Sequence, residues 1–337
     1  MAGGLRGAAL ALALLGLSTA PALAEGFVPA VVYDTGGKFD KSFNQAAYEG
    51  AERFKKETGI AYLEAEISAE GQRELVLRSL VRRGASIIFS TGSDQRAAVI
   101  KVAADAPTVK FVLVNVAPDT PLPNVSAIFF REEEGSFLAG VAAASVSKTG
   151  KLGFIGGMDI PLIRRFSCGY AQGIRSVSAT DEIIVNMAGT TAAAYHDPTR
   201  GAELALGQFD RGVDIVFAAA GNTGTGVLQA AEDKGKLAIG VDSNQDYLHP
   251  GHMLTSVLKR LDNAVYSSFK SAQAGTWQPG TVSLGLKEDG IGIAVDEYNR
   301  PLLSPELLKT LDDTRDKIIA GTIKVHNYVD DKTCPAQ

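Results

Sequence analysis

The chain has 337 residues, with 33 lysines and arginines against 38 aspartates and glutamates and a formal net charge of −5. A mildly acidic chain without long basic runs argues against binding nucleic acid or an anionic membrane surface. Two cysteines, Cys168 and Cys334, are too few for a disulfide framework. Export would permit them to pair, but they are read here as one buried thiol and one unpaired tail thiol.

Arg6, the apolar run Ala8–Leu17 and Ala22-Leu23-Ala24 before Glu25 form a secretory signal with cleavage expected after Ala24. No cysteine stands near that point, so a freely diffusing product is expected, in the periplasm if the source has one. No later stretch reaches the ~18 uninterrupted apolar residues of a membrane span.

Strand 28–33 then leads into Tyr33–Gly50, YDTGGKFDKSFNQAAYEG. Gly36 and Gly37 permit a sharp turn. Ser42 followed by Gln45 reads as a capping box that starts a helix near Phe43, and Gly59 closes that helix. Asp34, Lys38, Asp40, Lys41, Ser42 and Asn44 crowd this turn around Phe39 and Phe43. A strand-to-helix turn in an open α/β sheet is a ligand position, with an aromatic to stack on and polar groups to orient the ligand.

Alternation continues with strands at 61–65, 85–90, 110–116 and 125–130 and helices at 72–83 and 95–105. Runs such as Ile87-Ile88-Phe89 and Phe111-Val112-Leu113-Val114 predict a parallel sheet covered on both faces. Helix 132–147 carries Gly135, Ala139, Gly140, Ala143 and Ala144, small enough to let a neighbour approach closely. After Lys148-Thr149-Gly150-Lys151 the pattern restarts, with strands at 152–155, 182–187, 213–218 and 237–241 and helices at 162–177, 198–210 and 226–234. The remainder is mixed, with strands at 253–258, 282–286 and 291–295 and helices at 261–274 and 305–320.

One segment recurs. GASIIFSTGSDQRAAVIKVAADAPTVKFVLVN from Gly84 resembles GVDIVFAAAGNTGTGVLQAAEDKGKLAIGVD from Gly212. Phe89 matches Phe217, Gly92 lies close to Gly221, and Asn115 matches Asp242. A duplicated strand–helix–strand unit predicts two lobes whose loops enclose a cleft, with Asn115 and Asp242 at equivalent strand ends.

Other motifs carry less. Gly221-Asn222-Thr223-Gly224-Thr225-Gly226 lacks the spacing of a nucleotide loop and reads as a turn offering N–H groups to an uncharged ligand. His249-Pro250-Gly251-His252 reads as a solvent loop, and no cofactor or metal is called for. Asp34, Asp40 and Asp242 could act as paired carboxylates, but aspartates at strand ends equally accept ligand hydroxyls, and Asp242 suits a vicinal diol. Lys259 could orient Asp242 and donate to the ligand.

Taken together, the segments DKSFNQAAYEG (40–50), FREEEGSFLAGVAA (130–143), GKLGFIGGMDIPLIRRF (150–166), AAGNTGTGV (219–227), GVDSNQ (240–245) and LTSVLKRLDNAV (254–265) resemble the basic membrane protein family of ABC-transporter substrate-binding proteins, which includes purine-nucleoside receptors. The resemblance implies an α/β chain of the type I periplasmic binding protein fold, with two Rossmann-like lobes and a three-strand hinge. The expected division is 1–24 as signal, 25–147 with about 254–282 as the first lobe, and 148–253 with about 283–337 as the second.

The resemblance also implies a non-enzymatic, monomeric receptor that hands a nucleoside, expected to be a purine one, to an inner-membrane permease. Phe43 would stack on one face of the base, and Phe217 or Tyr195 on the other. Asp34 and Asn44 would contact the base or its neighbours, and Asp242 and Lys259 would hold the ribose hydroxyls, with Gly221 in the facing turn. Many relatives carry aspartate where this chain has Asn115, which can donate as well as accept. A sugar receptor of the same fold and an exported nucleoside or glycoside hydrolase are the competing readings.

Overall fold

Two parallel sheets, each with its own helices, organise the chain. The computed structural model describes Met1 and residues 26–337, so the expected signal segment lies outside the described residues. The first part runs β1 (Pro29–Tyr33), α1 (Phe43–Thr58), β2 (Leu63–Glu66), α2 (Arg73–Arg82), β3 (Ile87–Ser90), α3 (Arg96–Asp105), β4 (Lys110–Val114) and β5 (Val125–Phe130). Next come α4 (Glu132–Val146), β6 (Lys151–Met158), α5 (Pro161–Val177), β7 (Glu182–Gly189), α6 (Pro198–Asp210), β8 (Ile215–Ala219), α7 (Thr223–Asp233), β9 (Leu237–Asp242) and β10 (Met253–Lys259). Helix α8 (Leu261–Gln273), β11 (Gly280–Leu284), β12 (Ile291–Ile293) and α9 (Pro305–Ile319) follow.

The first sheet has the order β11-β5-β4-β3-β1-β2 and the second β12-β10-β9-β8-β6-β7. All their pairings are parallel except β10 with β12. The central strands β1, β3 and β8 are buried at every position, as strands covered on both faces must be.

The duplicated unit is present as β3–α3–β4 and β8–α7–β9. Its equivalent positions share a positive φ: Gly92 and Gly221 have φ of 89° and 56°, and Asn115 and Asp242 both have φ of 64°. Left-handed backbone is uncommon outside glycine and best tolerated by asparagine and aspartate. Each lobe therefore uses the same turn to leave its sheet.

The lobe boundaries differ from expectation in two places. Strand β10 pairs with β9, so 254–259 belong to the second sheet, and the chain returns to the first lobe only at α8, which packs on α1. Helix α4 packs against α5, β10, β12 and α9, not against the first sheet. The reason lies in its small residues: a Cβ on Gly140 would stand 2.2 Å from the Tyr170 carbonyl oxygen, and one on Gly173 2.0 Å from that of Phe137. Backbones this close leave no room for side chains, and α4 is locked to α5. The crossings between lobes accordingly fall at Arg131, at Arg260 and between β11 and β12. They lie side by side, for Arg131 N–H donates to Leu284 O and Arg260 N–H to Gly290 O.

Helix α7 begins at Thr223, ahead of the expected Gly226. Gly226 thus lies inside the helix, where only glycine fits, since a Cβ there would stand 1.8 Å from the Pro198 carbonyl oxygen. The two cysteines are not the separate buried and tail thiols expected: Cys168 on α5 is bonded to Cys334, so the tail is tied across α5. Among the described residues, no helix is long and apolar enough to cross a membrane.

Candidate functional site

The ends of β1, β4 and β9 and the turns that follow them face a cavity between the lobes. Asp34, Phe43, Asn44 and Asn115 line it from the first lobe, and Tyr195, Gly221, Asp242 and Lys259 from the second. The empty space measures about 900 Å³, open solvent at its mouth included.

Helix α1 is capped differently from the expected box. Ser42 occupies the N-cap position but makes no capping bond with its side chain. The buried Asp40 carboxylate instead accepts from the N–H groups of Ser42, Asn44 and Gln45 at 2.9, 3.0 and 3.1 Å. Burial nevertheless pushes its pKa up to about 6. Relieved of capping, Ser42 Oγ reaches across to the second lobe and donates to Asp242 Oδ2 at 2.6 Å. Two further bonds join the lobes here, Ser243 Oγ to Ser42 O at 2.7 Å and Gln245 Nε2 to Lys41 O at 2.9 Å. Burial raises the Asp242 pKa, and Lys259 and the Ser42 hydroxyl oppose that.

Asn44 touches the cavity, but its amide is largely committed. Its Oδ1 accepts from the Asp34 N–H and from Thr91 Oγ1, and its Nδ2 donates to Asp34 O. It fixes the end of β1 and so aims the Asp34 side chain. Asp34 Oδ1 accepts from the Thr35 N–H at 2.9 Å and lies 3.4 Å from an Arg73 nitrogen. Its Oδ2 faces Gly92, where a Cβ would approach to 2.0 Å; the glycine at that turn is required by the carboxylate beside it. Burial raises the Asp34 pKa, with Thr35 N–H and Arg73 opposing.

Lys259 is only 2% exposed. It does not bond Asp242 directly. Its ammonium donates to Asn115 Oδ1 at 3.0 Å and to Glu132 Oε1 at 2.5 Å, and lies 5.4 Å from the centre of the Phe43 ring. Glu132, fully buried, also receives Arg165 at 2.6 Å. With Asn115 Oδ1 held by a cation, its amide donors are left to face the cavity.

Of the two aromatics expected opposite Phe43, the structure places Tyr195 on the cavity wall, where a Cβ on Gly157 would meet its ring at 2.3 Å. Phe217 is excluded: it is fully buried and packs edge-on against Phe154, Phe166 and Tyr170. It lies inside β8, paired with Phe154 and Ile239, and alternation along the strand turns it into the core. Phe166 and His196 also line the cavity. Neither stands out in the sequence, since Phe166 reads as one apolar position of α5 and His196 lies in a loop.

The sequence matches the family described as ABC transporter substrate-binding protein, PnrA-like, over residues 27–328. The chain belongs to this family. Members are substrate-binding proteins of ABC transporters, so capture of a small molecule for a permease is the function at that level, without a catalytic step. The chain is 33% identical to a CD4+ T-cell-stimulating antigen of Listeria monocytogenes, covering 89% of this chain and 88% of that protein. It is 30% identical to the ABC transporter nucleoside-binding protein BmpA of Lactococcus lactis, covering 88% of each. Among solved structures, a solute-binding protein of an ABC transporter system from Aeropyrum pernix superposes with a TM-score of 0.81 at 29% identity, covering 89% of this chain and 93% of that one. This family member has the type I periplasmic binding protein fold.

Proposed function

We propose that this chain is a periplasmic receptor that binds a purine nucleoside between its lobes and delivers it, as a monomer, to the permease of an ABC importer. The observation that carries the reading is that Phe43 and Tyr195 line one cavity from opposite lobes. Two rings on two lobes suit a flat heterocycle, and stacking of a base on an aromatic contributes ~1–3 kcal/mol where measured. Asp242 supplies acceptors for a vicinal diol, while Asn115 and the remaining ammonium hydrogen of Lys259 supply donors. The name of the Lactococcus relative, a nucleoside-binding protein, points the same way. Export rests on the leader at residues 1–24.

Titration calorimetry with inosine, guanosine, adenosine, uridine and ribose tests the reading. Saturable one-to-one binding of purine nucleosides is expected, without release of free base on prolonged incubation. Binding of a free sugar with no response to any nucleoside would replace it with the sugar-receptor reading, and turnover would replace it with the hydrolase reading.

A further inference from the structure

His196 belongs to none of the roles assigned so far. It follows the short turn of helix Ala192–Tyr195 in the second lobe and presses against the first. A Cβ on Gly36 would stand 2.6 Å from its Cε1 and 3.3 Å from its Nδ1, so the Cε1–Nδ1 side of the imidazole presses on the β1–α1 turn. Its Nε2 is buried without a hydrogen-bond partner among the described residues, while the residue lines the same cavity as Asp34. A buried polar atom without a partner, on a residue that lines a binding cavity, points to a partner on the ligand. Burial lowers the His196 pKa, with Asp34 near enough to oppose this, so the ring is neutral at pH 7 and offers one N–H and one lone pair.

Resting on the nucleoside reading above, we propose that His196 is a specificity-determining residue. Its Nε2–H donates to an acceptor on the polar edge of the base, while Asp34 accepts from the N–H group adjacent to it. A 6-oxopurine meets this pair with O6 and N1–H, whereas a 6-aminopurine in the same pose sets its amino group against the His196 donor and the N1 lone pair against the Asp34 carboxylate. The reader therefore favours 6-oxopurine nucleosides over 6-aminopurine ones and rejects a sugar without a base. The two halves sit on different lobes, so the edge is read only when the lobes are closed.

The test compares inosine with 6-thioinosine, which keeps N1–H but exchanges the carbonyl oxygen for a weakly accepting sulfur. The wild-type protein is expected to prefer inosine by about tenfold, the worth of one hydrogen bond to a buried donor. His196→Ala should bring the two ligands to equal affinity, and His196→Asn, which retains an N–H donor, should restore much of the preference. In the unsubstituted protein, the ¹⁵N resonance of His196 Nε2 should move on addition of inosine, a readout independent of whether any variant folds. Failure of the wild type to bind any nucleoside would overturn the nucleoside reading itself. Binding of inosine with an unmoved Nε2 resonance, or with the same preference in wild type and His196→Ala, would overturn the role of His196 and leave the nucleoside reading standing.

Discussion

Lys259 Nζ stands 2.5 Å from Glu132 Oε1, and both side chains are shut away from solvent. The two residues come from different crossings between the lobes: Glu132 opens α4 just after the first, and Lys259 ends β10 just before the second. The ion pair ties the hinge together and, through Asn115, also fixes a wall of the cavity. Removing one partner of a buried pair typically costs ~3–5 kcal/mol, because the other charge stays buried. Lys259→Met is expected to fall near the lower end, since Arg165 still neutralises Glu132, and to weaken ligand binding as well. Urea denaturation of the ligand-free variant measures the first effect; an unchanged midpoint would show that the pair contributes nothing net.

Phe43 and Phe217 should separate binding from folding. Phe43 is half-buried at the cavity, so Phe43→Ala should weaken nucleoside binding by ~1–3 kcal/mol and lower the apo melting temperature only slightly. Phe217 sits within three aromatic neighbours, so Phe217→Ala should cost ~3–5 kcal/mol of stability. A binding defect in a stable Phe217→Ala protein would contradict its placement in the core.

Ser42 donates to Asp242 across the cleft, so the hydroxyl stabilises the closed arrangement and not the helix it precedes. Ser42→Ala is expected to leave the helix content unchanged and to shift the ligand-free protein toward an open form. Solution scattering should then report a larger radius of gyration, and affinity should fall by about 1 kcal/mol. If the radius is unchanged and the melting temperature drops sharply, Ser42 acts as a cap after all.

Glu133 sets a pH dependence. Burial pushes its carboxyl up to about 8, with Glu132 acting in the same direction and Arg165 against it. The folded chain therefore keeps a proton that the unfolded chain releases near 4.5. The stabilisation is fully present below that value and is lost as pH rises through about 8, at up to ~1.4 kcal/mol per pH unit within the window. Glu133→Gln should flatten this slope and be more stable than wild type above pH 8. Denaturation midpoints across pH 5–9 (a range of about four units) measure it, and identical slopes would remove Glu133 as the cause.

The disulfide between Cys168 and Cys334 joins residues 166 apart in sequence. Such a link typically stabilises by ~2–4 kcal/mol, so Cys334→Ser should lower the melting temperature in oxidising buffer. Cys168 does not line the cavity, and nucleoside affinity should stay the same. A free-thiol assay on unfolded wild-type protein should find no reactive cysteine.

The alternation of strands and helices, the duplicated unit and the turn crowding Phe43 are all local or periodic properties, and the sequence determined them by itself. Even the placing of Asn115 and Asp242 at equivalent strand ends was visible, because a repeated strand–helix–strand pattern repeats its strand ends; their shared positive φ was not. Side-chain partnerships across the cleft were not visible. Ser42 and Gln45 have the spacing of a capping box, yet Asp40 takes the cap, because its carboxylate reaches three N–H groups at once. Phe217 and Tyr195 are both aromatic, but the facing of β8 turns Phe217 into the core, while the short helix Ala192–Tyr195 leaves Tyr195 on the cavity wall. Whether α4 sits with the lobe before it or after it depends on how closely glycines let two backbones approach. His196 stands out only in the folded chain, where it packs against Gly36 of the first lobe and its Nε2 is buried without a partner among the described residues. Local chemistry thus set the elements and their order. Contacts between residues some two hundred positions apart, such as Ser42 and Asp242, decided which polar groups are already engaged and which remain for a ligand.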